Sequence, residues 1–226
     1  MTPERRPPTN PDPRAPDGAA ARVPFVGLTG GLGAGKSTAL AALERLGAAT
    51  LSTDAVVHQL YASGEVRDAV VARWGEAVAP AGVVDRAAVA RRAFGAPAER
   101  AWLEGLLWPL VAARVASWRE EAERRVPRPR AAVVETPLLF EAGMEGLYDA
   151  TIAVVADEAV RVERAAERGH QAVDERAARQ LSQQEKAARA TYVVANSGTV
   201  EDLELALADV LAKLDPLPEG PLEHQR

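Results

Sequence analysis

One stretch, Gly30-Gly31-Leu32-Gly33-Ala34-Gly35-Lys36-Ser37-Thr38, constrains this chain more than any other. Gly, four residues, Gly, Lys and a hydroxyl residue is the spacing of a loop that wraps phosphate with its own backbone N–H groups. Such a loop curls tightly, and glycine tolerates the dihedral angles the curl needs. Lys36 adds a point charge against the phosphates, and Ser37 offers a hydroxyl to Mg²⁺. Gly31, Leu32, Gly33, Ala34, Gly35, Lys36, Ser37 and Thr38 are therefore the candidate nucleotide-binding residues. The flanks agree. Phe25-Val26-Gly27-Leu28 is a short apolar run that predicts a buried strand. From Ser37 to Leu46 apolar residues recur at helical spacing, and Gly47 closes the run as a C-cap. Strand, loop and helix in that order aim the positive end of a helix at the bound anion. A glycine-rich turn with a chance lysine would require none of these flanks.

Composition narrows the class. The 226 residues suffice for one sizeable α/β domain with a lid or an inserted subdomain. A net charge of −5 gives the whole chain no electrostatic footprint for nucleic acid. The absence of cysteine excludes disulfides, cysteine-ligated zinc and thiol catalysis. No apolar run approaches the roughly 20 residues of a membrane span, and the N-terminus lacks an apolar signal region. The expectation is a cytoplasmic enzyme, monomeric or weakly homo-oligomeric, with no nucleic-acid or membrane partner.

In chain order, residues 1–22 are rich in Pro, Arg, Asp and Ala and predict a disordered tail, too poor in apolar side chains to offset its ordering entropy. Residues 48–54 predict a second strand ending in polar residues, and strand C-terminal ends line the ligand crevice of a parallel sheet. Asp54 thus falls close to the phosphate loop, or caps the helix over 55–61, or does both. Residues 64–125 read as helical: 66–74, then 85–94 with Asp85 as N-cap, then 98–125 with a kink or break at Pro109. Trp102, Trp108 and Trp118 fall within this block, as core or as ligand contacts. A third strand over 131–135, apolar on both faces and hence central, ends in Glu135, which supports Mg²⁺ or orders the adjacent loop.

A fourth strand spans 151–155. Helices over 157–169 and 174–190, joined by a turn at Gly169-His170-Gln171, carry Arg161, Arg164, Arg168, Arg176, Arg179 and Lys186. As a group these cations suit a lid closing on phosphates; singly, each also fits a solvated helix face with Glu–Arg pairs. A fifth strand over 192–195 leads to Asn196-Ser197-Gly198, then to a closing amphipathic helix over 201–214 and a loose tail from 215 to 226. His58, His170 and His224 are scattered and suggest neither a metal site nor a triad.

From about residue 24 to 212 the pattern resembles bacterial dephospho-CoA kinase. The resemblance rests on Gly27 to Thr38, Asp54, Asp85-Arg86 with Phe94, Leu103-Glu104 with Pro109, and Pro137-Leu138-Leu139-Phe140-Glu141. Arg164, Arg168, Arg176, Gln180, Lys186 and Asn196-Ser197-Gly198 complete it. It implies ATP-dependent phosphorylation of the ribose 3′-hydroxyl of dephospho-CoA, the last step of coenzyme A synthesis. It implies a P-loop NTPase-type, three-layer α/β/α fold. A parallel five-stranded sheet, a helical substrate-binding subdomain over about 64–126 and a helical lid over about 161–190 would lie within one domain spanning 23–214. Asp54 matches the general base, Arg164 and Arg168 the lid arginines, and Asn196 the segment near the adenine. Two positions depart from the family's pattern: Ser52 stands where an Asp is usual and Trp108 where a His is common. Rival readings are another small-molecule P-loop kinase, a GTP-dependent switch and a nucleotide-binding scaffold. The switch would need an Asn-Lys-x-Asp motif, which is absent, and the scaffold would not need both Lys36 and Asp54.

Overall fold

In a computed structural model, which describes residues 22–167 and 180–214, five strands form one parallel sheet. The strands are β1 (Phe25–Gly30), β2 (Ala49–Ser52), β3 (Ala132–Glu135), β4 (Ala150–Val155) and β5 (Tyr192–Ala195). Their order across the sheet is β2-β3-β1-β4-β5, so the strand feeding the phosphate loop lies at the centre. Every residue of β1 and of β3 is buried, which is why both read as unbroken apolar runs rather than alternating ones.

The two faces of the sheet bury different helices, and the period-2 alternation of the strands sorts the residues between them. Val26, Leu28, Val133, Ile152 and Val154 pack against α1 (Lys36–Arg45) and the closing helix, here α8 (Val200–Lys213), through Ala39, Leu43, Leu203 and Leu207. Phe25, Ala132 and Val134 face the other way, against Trp118 and Ala122. These last two belong to α5 (Pro97–Glu123). The result is the expected three-layer α/β/α arrangement. Helix α1 stops at Gly47, whose φ of 90° lets its N–H reach Glu44 O (3.0 Å) and the N–H of Ala48 reach Leu43 O (2.9 Å). That is the paired-bond glycine stop expected at this position.

A separate apolar cluster builds the helical block. It joins α3 (Gly64–Trp74), α4 (Arg86–Phe94) and the first half of α5 through Val66, Val70, Val89 and Leu107. Val57, Leu60 and Tyr61 of α2 (Thr53–Tyr61) pack against it. Asp85 caps α4 as expected, accepting from the N–H groups of Ala87 (2.9 Å) and Ala88 (3.1 Å). Pro109 does not break α5, which runs as one 27-residue helix through it. The proline instead marks a change of partner. Residues up to Leu110 pack in the block and residues from Val115 onward pack on the sheet.

Among the described residues, two further helices follow β4 and precede β5: α6 (Glu158–Glu167) and α7 (Gln183–Arg189). A single helix over 174–190 is not what forms. Ser182 starts α7 afresh with a capping box: its hydroxyl accepts from Glu185 N–H (3.2 Å), and Glu185 accepts from Ser182 N–H (2.8 Å). The Ser182-x-x-Glu185 spacing carried that signal. The tails over 1–21 and 215–226, and Arg168, the turn at 169–171, Arg176 and Arg179, lie outside the described residues.

Candidate active site

The C-terminal ends of the strands form a crest, and the phosphate loop sits on it between β1 and α1. Two of its glycines are required by both conformation and space. Gly35 has φ 88°, and a Cβ there would stand 2.0 Å from Asn196 Nδ2. Gly33 has φ 73°, and a Cβ there would stand 2.5 Å from the Arg161 carbonyl. Lys36 folds back over the loop, its Nζ donating to Gly30 O (3.0 Å) and Gly31 O (3.2 Å). Ser37 is exposed in the first turn of α1, and Thr38 beside it is half-buried. Leu32 O accepts from Arg161 Nε (2.9 Å), so the first turns of α6 cover the loop.

Asn196 is 4 % exposed and braces the loop directly. Its Nδ2 donates to Ala34 O (2.8 Å), its backbone N–H to Val155 O (2.7 Å), and its own carbonyl accepts from Arg164 Nη1 (3.0 Å). Arg164 thus stands at the loop; an ideal Cβ on Gly35 would lie 3.4 Å from its Nη1. Arg168 lies outside the described residues. Lys186 is not a phosphate-facing cation. It is fully buried beneath the crest, bonded to Glu141 and to the Pro137 carbonyl.

Asp54 lies in the first turn of α2 with its side chain exposed. It is not the cap of that helix. Ser52 is, its hydroxyl accepting from Ala55 N–H at 3.5 Å, so one residue that departs from the family's pattern has a structural task. Thr53 ties this turn to β3 by donating to Glu135 O (2.9 Å). Ser52 and Glu135 face each other in register across β2 and β3. Glu135 itself is 7 % exposed.

Charge is sorted along the crest. Lys36, Arg161 and Arg164 gather at the ends of β1, β4 and β5, while Asp54 and Glu135 stand at the ends of β2 and β3. Two strand spacings, about 10 Å, separate β1 from β2. Cations on one side and a carboxylate on the other can hold a transferable phosphoryl group and accept the proton of an incoming hydroxyl.

Comparison with known proteins agrees with this geometry. The family described as Dephospho-CoA kinase matches residues 24–202. The chain belongs to the dephospho-CoA kinase family. It is 39% identical to the dephospho-CoA kinase of Anaeromyxobacter dehalogenans over 84% of this chain and 91% of that protein. It is also 39% identical to that of Deinococcus radiodurans, over 84% of this chain and 92% of its relative. Among solved structures, TT1252 from Thermus thermophilus superposes with a TM-score of 0.71 at 34% identity, covering 85% of this chain and 98% of that one. The dephospho-CoA kinase from Campylobacter jejuni shares the fold, with a TM-score of 0.57 at 18% identity over 84% of this chain and 96% of its own.

Within this family frame, two features were not legible from residue spacing. The Arg161 bond to the loop and the buried position of Lys186 each depend on which elements meet in space. The Ser52 cap did have a local signal, a serine three residues before Ala55.

Proposed function

We propose that this chain transfers the γ-phosphoryl group of ATP to the ribose 3′-hydroxyl of dephospho-CoA, giving coenzyme A and ADP. The observation that carries the reading is the charge-sorted crest, with the phosphate loop and its cations at the ends of β1, β4 and β5 and Asp54 just past the end of β2. In this reading the N–H groups of residues 31–38 cradle the ATP phosphates, and Lys36 leaves the Gly30 and Gly31 carbonyls to pair with them. Arg164, already at the loop, and Arg168 supply positive charge as the phosphoryl group moves. Asp54 accepts the proton of the 3′-hydroxyl as the oxygen–phosphorus bond forms. Asn196 holds the loop's shape at the nucleotide side through Ala34.

The donors present suit Mg²⁺. Ser37 and Glu135 are hard oxygen ligands, and among the described residues no group of three His, Cys, Asp or Glu side chains forms a protein cage. Ser37 would hold the ion, with phosphate oxygens and water completing its shell. The ion would neutralise charge on the transferring group.

The helical block over about 64–126 forms the acceptor side, because it packs on α2 directly behind Asp54. One kinase domain spans 23–214, with a lid over 161–190 and tails at both ends. The enzyme works in the cytoplasm as a monomer or weak homo-oligomer, without a nucleic-acid partner. Among the described residues, no helix is long and apolar enough to cross a membrane.

The test is ADP release with Mg-ATP in the presence of dephospho-CoA, adenosine, AMP or pantothenate. Release only with dephospho-CoA, with product phosphorylated on the 3′-oxygen, is the expected result. Release only with another acceptor would keep the crest reading and move the substrate to a sibling kinase.

A further inference from the structure

Helix α7 is short, yet it makes directed contacts with the ends of three strands. Lys186, 0% exposed, donates to Glu141 Oε1 (2.9 Å), to Pro137 O (2.7 Å) and to Thr29 Oγ1 (3.4 Å). An ammonium has three protons, and each has an acceptor here. Thr29, also 0% exposed, is the residue immediately before the glycines of the phosphate loop, and its hydroxyl reaches Pro137 O at 3.2 Å. Pro137 follows Glu135 at the end of β3. One turn earlier on α7, Gln183 grips the end of β4. Its Oε1 accepts from Ala156 N–H (3.2 Å), and its Nε2 donates to Ala156 O (2.9 Å). One turn later, Arg189 pairs with Glu145 and lies 4.9 Å over the Phe140 ring.

A charge buried this deeply is weak evidence for stability alone, because desolvation offsets most of its pairing energy. What it supplies is direction. Three acceptors from two segments meet at one nitrogen on a third, so none can shift without breaking a bond. The two segments are the entry to the phosphate loop and the 137–141 turn after β3. Lys36 clamps the same entry from above, on the carbonyls of Gly30 and Gly31. Thr29 and Gly30 are therefore held between two ammonium groups, one at the phosphate side and one beneath.

We infer that Lys186, with Thr29 and Glu141, is a positioning device for phosphoryl transfer: it fixes the height of the phosphate loop against the β3 end that faces Asp54. The inference rests on the reading of that loop as the nucleotide site. The isosteric Thr29→Val variant removes the hydroxyl from the hub while keeping volume, and Thr29→Ser restores it. Lys186→Met tests the hub itself.

The experiment measures ADP dissociation constants, the KM for ATP, kcat and thermal midpoints for the wild-type chain and the three variants. Thr29→Val is expected to weaken ADP binding roughly tenfold and lower kcat, with a thermal midpoint close to wild type and with recovery in Thr29→Ser. Folded Lys186→Met is expected to show the same pattern, more strongly. If Lys186→Met does not fold, Thr29→Val and Thr29→Ser decide. Wild-type ADP affinity and kcat in a folded Thr29→Val would overturn the positioning role and leave the nucleotide-site reading intact. Failure of the wild-type chain itself to bind ADP would overturn both.

Discussion

At the strand-end crest, Lys186, Asn196, Gln183 and Arg161 each place a bond on a chosen backbone atom. The helical block over α3 to α5 coheres differently, through Val66, Val70, Val78, Val89 and Leu107. Of the buried polar side chains among the described residues, Thr29, Glu135, Thr136, Thr151, Lys186 and Asn196, none lies in that block. Directional bonds specify position but add only about 0.5–1.5 kcal/mol each to stability. Apolar burial adds more and specifies less, about 1.5–3 kcal/mol for a large side chain. The comparison teaches that the two regions answer to different assays. Substitutions at the crest should change kinetics more than stability, and substitutions in the apolar layers should do the reverse.

The largest effect expected is on chemistry alone. Asp54→Asn should lower kcat by about 10²–10⁴-fold, the usual worth of a positioned general base. ADP affinity and thermal midpoint should stay near wild type, because Asp54 is exposed and is not the helix cap. Equal loss of ADP binding would make Asp54 a structural residue. Lys36→Ala should weaken ADP binding and turnover together, because the same ammonium shapes the loop and meets the phosphates.

Tryptophans on one helix sharpen the contrast within a single element. Trp118 is 4% exposed on the sheet, and Trp118→Ala should cost about 3–5 kcal/mol in urea unfolding. Trp108 is 59% exposed on the same helix, and Trp108→Ala should change stability by about 0.5 kcal/mol or less. Similar losses for both would mean that α5 does not divide its partners on either side of Pro109.

The phosphate loop, the strands, Asp85 as a cap and the closing helix were legible because their signals are local: a spacing, a run or a capping residue. The proline rule allows a kink or a break at Pro109, and the break does not form because the 27-residue helix is held on both sides of it by packing. Lys186 read as a lid cation because charge predicts exposure; only the meeting of β1, the 137–141 turn and α7 gives a buried ammonium three acceptors. Asn196 was placed at the nucleotide side, but its bond to Ala34 O spans 162 residues and no spacing could show it.

A smaller effect tests the departure at Ser52. Ser52→Ala removes the α2 cap and should cost about 1 kcal/mol, with kcat falling because the same turn presents Asp54. Ser52→Asp keeps an acceptor for Ala55 N–H and should leave stability nearly unchanged. Equal stability of all three would show that the 3.5 Å contact carries no capping energy.

The smallest effect lies at a directed contact group that joins α3 to α5. Arg73 donates to Glu99 through Nη2 (2.7 Å) and Nε (3.0 Å), and Trp74 Nε1 donates to the same carboxylate (2.7 Å). The Arg73 and Trp74 bonds hold the Glu99 carboxyl below the usual glutamate range, and the same pairing raises Arg73. A carboxyl lowered in the folded state adds stability that is present above the unfolded glutamate range. That stability is lost as pH falls through the lower folded value. The group is surface-lying, so screening keeps the gain small. Because Trp74 meets Trp102 edge-on with centroids 5.0 Å apart, indole fluorescence reads this corner of the block. The fluorescence-detected urea midpoint should fall on acidification below the glutamate range, and Glu99→Gln should fall less steeply over the same window. Parallel acid slopes for the two proteins would show that the block is held by its apolar layer alone, which would make its contrast with the crest complete.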